Sequence, residues 1–391
     1  MRRSGGHHRH LSQPPTHVDR HVNSPRIDTL PPGVVSLGDH EAHASDVLDA
    51  NAWAYFVGGA ADELSMAANR HAWNSIQLRP RVLRALAGGN TRVSLLGREL
   101  AHPILLAPVA YQRMAHPDGE LATACAAAAQ QAGLVLSTQA SLPLEYIADA
   151  VRDDPDRGPL WFQLYLQHDK GFNLELVHRA EAAGYETLVL TVDAPCNGAR
   201  DLERRVGFRL PPGVRAVNLD SLPPRLARPL APGASGLFDD LLLDAPGWDD
   251  VAWLQANTRL PVILKGILDP EDAREAARLQ VGGLIVSNHG GRTLDTSLPT
   301  ATALPSIVHA VGDSLPVLVD GGIRRGTDVL KAIALGASAV LVGRPYIFGL
   351  ANAGALGVAH VIRLLRDELE IAMVLCGCRT LRDIPPTLLV A

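Results

Sequence analysis

From residue 104 onward, short runs that are apolar at nearly every position alternate with longer segments rich in Ala, Glu and Arg. The runs are ILLAPVA (104–110), LVLST (134–138), WFQLYL (161–166) and TLVLTVD (187–193), then PVILKG (261–266), GLIVSN (283–288), PVLVDG (316–321) and AVLVGR (339–344). The segments between them, such as DGELATACAAAAQQAG and DPEDAREAARLQVG, carry acidic residues early and glycine just past the end, as helices prefer. A strand apolar on both faces belongs to a parallel sheet covered on both sides. Eight such units in about 250 residues predict an α/β fold, a closed (β/α)8 TIM barrel. A doubly wound open sheet is the alternative, but no G-x-G-x-x-G follows the first run.

Two stretches break this rhythm. Between Asp193 and Pro261 lies a long Pro-rich segment containing RLPPGVRAVNLDSLPPRLARPLAPGASG. Loops of that length are usually lids or disordered, and the reading is a mobile lid after the fourth strand, about 197–248, covering the barrel mouth. A membrane-docking loop is disfavoured because prolines interrupt its apolar content. The other stretch is the His/Pro/Arg-rich amino terminus, read as a disordered extension over 1–43. A single domain, 44–391, follows it and opens with a helical segment. Seven histidines (7, 8, 10, 17, 21, 40 and 43) fall in the extension without regular ligand spacing, so a polar tail is preferred to a metal site. The extension has no apolar core segment of a secretory signal.

Composition narrows the class. The chain has 391 residues, 47% hydrophobic and 20% charged, with a formal net charge of -5. A sizeable core is available, and nucleic acid is not an expected partner. No apolar run approaches the 18 or more residues of a spanning helix, so no membrane partner is expected. Cys125, Cys196, Cys376 and Cys378 form no disulfide framework, and Cys376-Gly-Cys378 lacks the two-residue spacer of a zinc or redox pair. They read as reduced thiols, which predicts a cytoplasmic protein.

A barrel enzyme works at the carboxyl ends of its strands. Here those ends read Pro108-Val109-Ala110; Ser137 and Thr138; Gln163 and Tyr165; Thr191 and Asp193; Lys265; Ser287, Asn288, His289 and Arg292; Asp320-Gly321-Gly322; and Gly343-Arg344. An isolated Ser or Thr is ordinarily just a satisfied strand cap, but eight polar ends in succession are not explained that way. Glycine-rich turns and helix starts after the seventh and eighth strands form the usual phosphate site of this fold, to which Arg344 adds charge. A phosphate-bearing ligand is therefore expected. No acidic cluster suited to a metal accompanies it.

Together these residues resemble the FMN-dependent L-2-hydroxy acid oxidases and dehydrogenases, the glycolate, lactate and mandelate or hydroxymandelate type. The resemblance runs from about Ala52 to Pro385 and rests on YFVGGAAD, APVAYQRMAHPDGE, FQLY, LTVDAP, LPVILKG, SNHGGR, DGGIRRGTDVLKAIALGA and VGRP. The chain departs at Thr293, where the family carries Gln. The resemblance implies FMN as cofactor, with an L-2-hydroxy acid oxidised to the 2-keto acid and reoxidation by O2. It makes His289 the base, oriented by Asp193, with Tyr165 hydrogen-bonding the reacting oxygen. Arg292 and Tyr55 would hold the substrate carboxylate, and Arg200 would sit over the substrate from the base of the lid. Lys265 would lie near the pyrimidine end of the flavin. Ser137, Gln163, Thr191 and Ser287 would bond the ring or ribityl chain, and Pro108, Val109 and Ala110 would line the ring. Asp320, Gly321, Gly322, Arg324, Gly343 and Arg344 would take the ribityl and phosphate. A homo-oligomer, a tetramer, is also implied.

Other readings stay open at this level. Tyr55 could be an ordinary half-buried aromatic, and Asp193 and Lys265 a structural ion pair. The electron acceptor could be a quinone or cytochrome, as in a dehydrogenase. The barrel could instead bind a phosphorylated ligand without turnover, or act as a flavin-dependent isomerase of an isoprenoid diphosphate. Gln139 and Tyr111, with the APVAYQR stretch, favour lactate or an aromatic 2-hydroxy acid over glycolate. Ala110 at the flavin face is what oxygen-using members tend to show.

Overall fold

The computed structural model describes residues 25, 28–226 and 228–390. The eight runs form parallel strands: Ile104–Leu106, Gly133–Leu136, Leu160–Leu164, Leu188–Thr191, Val262–Ile267, Gly283–Val286, Val317–Val319 and Ala339–Val342. They close into a barrel, the first pairing with the eighth through Leu105 and Leu341. Most strands stop where the run turns polar or proline-bearing, so Ser137, Asp193 and His289 fall just beyond the ladder, whereas the fifth strand carries Lys265 within it.

Strict alternation explains why these strands need apolar residues on both faces. Leu105, Val135, Trp161, Val189, Ile263, Ile285, Leu318 and Leu341 point into the barrel and fill it. Their neighbours Leu106, Leu136, Phe162, Leu190, Leu264, Val286, Val319 and Val342 face the surrounding helices. A hairpin, Val93–Leu95 with Arg98–Leu100, contributes Leu95 and Leu100 to the interior cluster. That leaves the opposite, carboxyl rim for chemistry.

Three helices precede the barrel: Leu37–Val47, Ala50–Val57 and Leu64–Ser75. The first corrects the boundary read at residue 44. Ser36 caps that helix by accepting from the Asp39 amide at 3.2 Å, and Leu37 and His40 are buried, so residues 37–43 belong to the folded domain. Residues 1–24, 26 and 27 of the expected extension lie outside the described residues. The segment after the fourth strand is also less plain than a loop: it holds a helix, Asp201–Val206, and short 3-10 turns at Val217–Leu219 and Leu241–Asp244.

One further correction concerns apolar length. The helical stretch Arg344–Leu375 is long and apolar enough to cross a membrane by length and composition alone. It is broken by non-helical backbone at Ala353 and Gly354, and 61% of its apolar window is buried inside the fold. Its apolarity therefore serves core packing, against the helices Leu37–Val47 and Gly119–Ala129 among others.

Candidate active site

The strand ends and the segment after the fourth strand enclose one cavity of about 1450 Å³. It is lined by every site residue expected from the sequence except Ser287. Ser287 is fully buried; its hydroxyl accepts from Lys265 Nζ at 2.8 Å and from the His289 amide at 3.1 Å. It buttresses two other site residues and is not itself presented to the cavity.

His289 sits at the centre of the site, in the left-handed region at φ +57°. The two glycines after it also have positive φ, +63° and +74°, so the chain reverses within three residues. The reversal is held tightly, because a Cβ at Gly291 would stand 2.7 Å from the Met66 nitrogen. His289 Nδ1 lies 2.8 Å from Asp193 Oδ1, and Nε2 lies 3.3 Å from the Tyr165 hydroxyl. Burial pushes the Asp193 carboxyl up, but the adjacent His289 and Lys265 more than offset this and hold it below the ordinary carboxylate value. Asp193 is thus held as an anion against Nδ1, while Nε2 faces the Tyr165 hydroxyl.

Lys265 does not pair with Asp193. Its ammonium lies 2.9 Å from Asp320 Oδ2, with both side chains buried. Burial pulls the Lys265 pKa down, but Asp320 and Asp193 outweigh it, so the amine is held as a cation.

The arginines crowd the other side. Arg292 Nη1 donates to the Tyr55 and Gly58 carbonyls, each at 2.6 Å, and its guanidinium lies 5.1 Å from the Tyr55 ring centre. Tyr55 is therefore part of the site and not a bystander aromatic. Glu203, which the sequence did not single out, stands between two cations: its Oε1 is 3.3 Å from Arg292 Nη2 and 3.3 Å from Arg200 Nη1. Its only sequence signal is its place one turn beyond Arg200. Phe208, from the same segment, stacks on Tyr55 at 5.1 Å between ring centres.

At the phosphate end, Arg344 donates to the carbonyls of Phe56, Gly290 and Gly58 at 2.8–3.1 Å. Burial, with repulsion from Arg292 and Arg324, pulls its pKa down to about 9. The amides expected to be free after the seventh strand are partly taken. Asp328 accepts from the Arg324 and Arg325 amides at 2.9 and 3.0 Å, and Glu368 accepts from the Gly326 amide at 2.8 Å. What faces the cavity there is the turn Gly321-Gly322, at φ +87° and +82°, with Arg324 and Arg344. That turn is braced from behind by Trp73, whose indole donates to Gly321 O at 2.8 Å, and by Arg70, which reaches Gly322 O at 2.6 Å.

Gln163 joins the second, third and fourth strand ends. Its Oε1 accepts from the Thr138 amide at 3.2 Å and from Ser137 at 3.3 Å, and its Nε2 donates to Thr191 at 3.1 Å.

The chain matches, over residues 44–391, the family described as FMN-dependent dehydrogenase. The chain belongs to that family. It is 50% identical over 355 residues to an L-lactate oxidase of Roseobacter sp. (strain GAI101), covering 91% of this chain and 94% of the relative. It is 47% identical over 348 residues to a 4-hydroxymandelate oxidase of Amycolatopsis orientalis, covering 88% and 95%. A solved mandelate oxidase with (S)-2-phenylpropionate superposes with a TM-score of 0.81 at 44% identity, covering 91% of this chain and 98% of that one. The protein is thus an FMN-dependent oxidoreductase on a TIM barrel.

The site fits that cofactor on its own terms. Asp320 Oδ1, Asp193 Oδ2 and Arg200 Nε are buried without hydrogen-bond partners, a condition that costs free energy unless a ligand supplies them. Arg324 and Arg344 form a cationic end suited to a phosphate. Pro108, Val109 and Ala110, with Ser137, Gln163 and Thr191, also line the cavity.

Proposed function

We propose that this protein oxidises L-lactate or an aromatic L-2-hydroxy acid to the 2-keto acid, ahead of glycolate, and passes the electrons to O2. One observation carries the chemistry: the His289 imidazole, held by Asp193, shares one cavity with the Tyr165 hydroxyl and the Arg292 and Arg200 guanidiniums. The substrate assignment is supported by the lactate and hydroxymandelate oxidases among its relatives. A cavity rim of Tyr55, Tyr111 and Phe208 suits an aromatic or methyl side chain.

The chain's own residues do the following. Arg292, with the donors that remain on Nη2 and Nε, and Arg200 bind the substrate carboxylate, aided by the Tyr55 hydroxyl. Tyr165, kept protonated by burial and by Asp193, donates to the substrate's oxygen. The Nε2 of His289 accepts the proton, and the Asp193 anion stabilises the imidazolium. Lys265 holds positive charge at the buried end beside Asp320. Arg324, Arg344 and the Gly321-Gly322 turn would hold FMN, which would supply the two-electron acceptor. The segment bearing Arg200, Glu203 and Phe208 covers the substrate and limits water.

The free thiols Cys125, Cys196, Cys376 and Cys378 support a cytoplasmic location. Exposed Val82, Leu83, Ile371, Val374 and Leu375 support burial against further copies in a tetramer.

The test is purified protein mixed anaerobically with L-lactate, L-mandelate or glycolate, with bleaching of the flavin bands followed by stopped flow. Wild type bleaches fastest with lactate or mandelate, and His289→Ala retains FMN yet loses about 10²-fold or more in bleaching rate. An undiminished rate in that variant removes His289 from the base role. Oxygen uptake in steady state reads the acceptor.

A further inference from the structure

The phosphate end of the cavity holds more positive charge than its own carboxylates answer. Asp328 is committed to Arg70, 2.6 Å away, to the backbone amides of Arg324 and Arg325, and at 4.0 Å to the Lys331 ammonium. Glu203 is committed to Arg200 and Arg292. Among the described residues, the hydrogen bonds of Arg344 all go to carbonyls. Arg324 is answered from outside the barrel. Glu41, on the helix Leu37–Val47, places Oε2 3.8 Å from Arg324 Nε.

That helix is not loosely attached. Leu37 and Ala44 are buried in the main core, and the His40 ring lies 3.0 Å from the His360 ring. Asn352 donates to the His40 carbonyl at 2.9 Å. Both partners belong to the helical stretch that starts at Arg344. The backbone at Glu41 is therefore held against the helical stretch that begins at Arg344.

We propose that Glu41 is the resident counter-ion of the phosphate end: its carboxylate neutralises Arg324 before a phosphate arrives and opposes the phosphate for that charge. The proposal rests on the FMN reading above. Two like-signed groups sharing one guanidinium repel, and the coupling is reciprocal. Glu41 therefore stabilises the flavin-free fold and weakens FMN retention by one and the same interaction. Riboflavin, which lacks the phosphate, escapes this effect.

The full-length holoenzyme is compared as wild type, Glu41→Gln and Glu41→Ala. FMN release after dilution is followed by flavin fluorescence, and dissociation constants for FMN and riboflavin are measured by rebinding. Both variants are expected to hold FMN roughly threefold to tenfold more tightly at low ionic strength, as loss of one nearby charge allows. The gain shrinks as salt is added. Riboflavin affinity is unchanged, and the flavin-free variants melt lower than flavin-free wild type. FMN affinity that is equal or weaker in the variants overturns the proposal, as does an equal change for both flavins. If wild type binds neither flavin, the FMN reading itself falls and this proposal with it.

Discussion

Asp193 Oδ1 and His289 Nδ1 stand 2.8 Å apart although the two residues end different strands, the fourth and the sixth. Removing the charge while keeping the shape tests what this contact does. Asp193→Asn should retain FMN and lose about 10²-fold or more in flavin reduction rate, because the imidazolium formed at His289 loses its anion. Anaerobic stopped-flow reduction beside the bound flavin content is the measurement.

The same contact depends on a missing side chain. Gly266 has φ +115°, and a Cβ there would lie 2.5 Å from Asp193 Cβ. Gly266→Ala should displace Asp193 from His289, slow reduction more than it weakens substrate binding, and lower stability by about 1 kcal/mol or more from backbone strain. Single-turnover rates set against substrate dissociation constants separate the two effects.

Lys265 and Asp320 form a buried ion pair with Asp320 Oδ1 unpartnered. Lys265→Met leaves a buried carboxylate without its cation and should cost about 3–5 kcal/mol of stability. Adding Asp320→Asn should recover much of that loss. Urea unfolding of the four members of the cycle gives the coupling directly.

Arg292 binds two carbonyls through Nη1 and Glu203 through Nη2, and its guanidinium lines the cavity. A lysine cannot reproduce that planar fork. Arg292→Lys should raise KM for the hydroxy acid about 10- to 100-fold, the range of one or two charged hydrogen bonds, while flavin binding stays near wild type. Steady-state kinetics with a flavin titration reads both.

Two histidines remote from the cavity set an acid limit. Burial, aided by the neighbouring His360 and His43 against Asp39, brings His40 down to about 4. Burial likewise brings His102 down to about 4, opposed by the hydrogen bond its ring donates to the Gln130 carbonyl. Unfolded, each titrates near ~6.5, so between these values the unfolded chain binds more protons. The stability they contribute is complete above ~6.5 and is lost as pH falls toward 4, at most about 3 kcal/mol for each. His102→Gln should therefore flatten the fall in urea-unfolding free energy across pH 6.5 to 4.

The barrel and most of its rim are legible because runs apolar at nearly every position mark the strands, and the polar residues near their ends mark the rim. A strand apolar on both faces must be covered on both, and a polar residue after it must leave the core. That logic put His289, Asp193, Lys265 and Gln163 at one rim without any coordinates. Local sequence also marks the turn at Gly290-Gly291, where only small residues fit.

Pairing across the rim is another matter. That Lys265 answers Asp320 and not Asp193, that Ser287 props Lys265 instead of facing the cavity, and that Glu203 bridges Arg200 and Arg292 depend on distances between separate chain segments. So does the reach of Glu41 to Arg324, from a helix that begins inside what reads as a tail. Periodicity determines which residues arrive at the open end of the barrel. Coulomb and hydrogen-bond partners at 3–4 Å are chosen only once the closed sheet and the packed helices have brought those segments together.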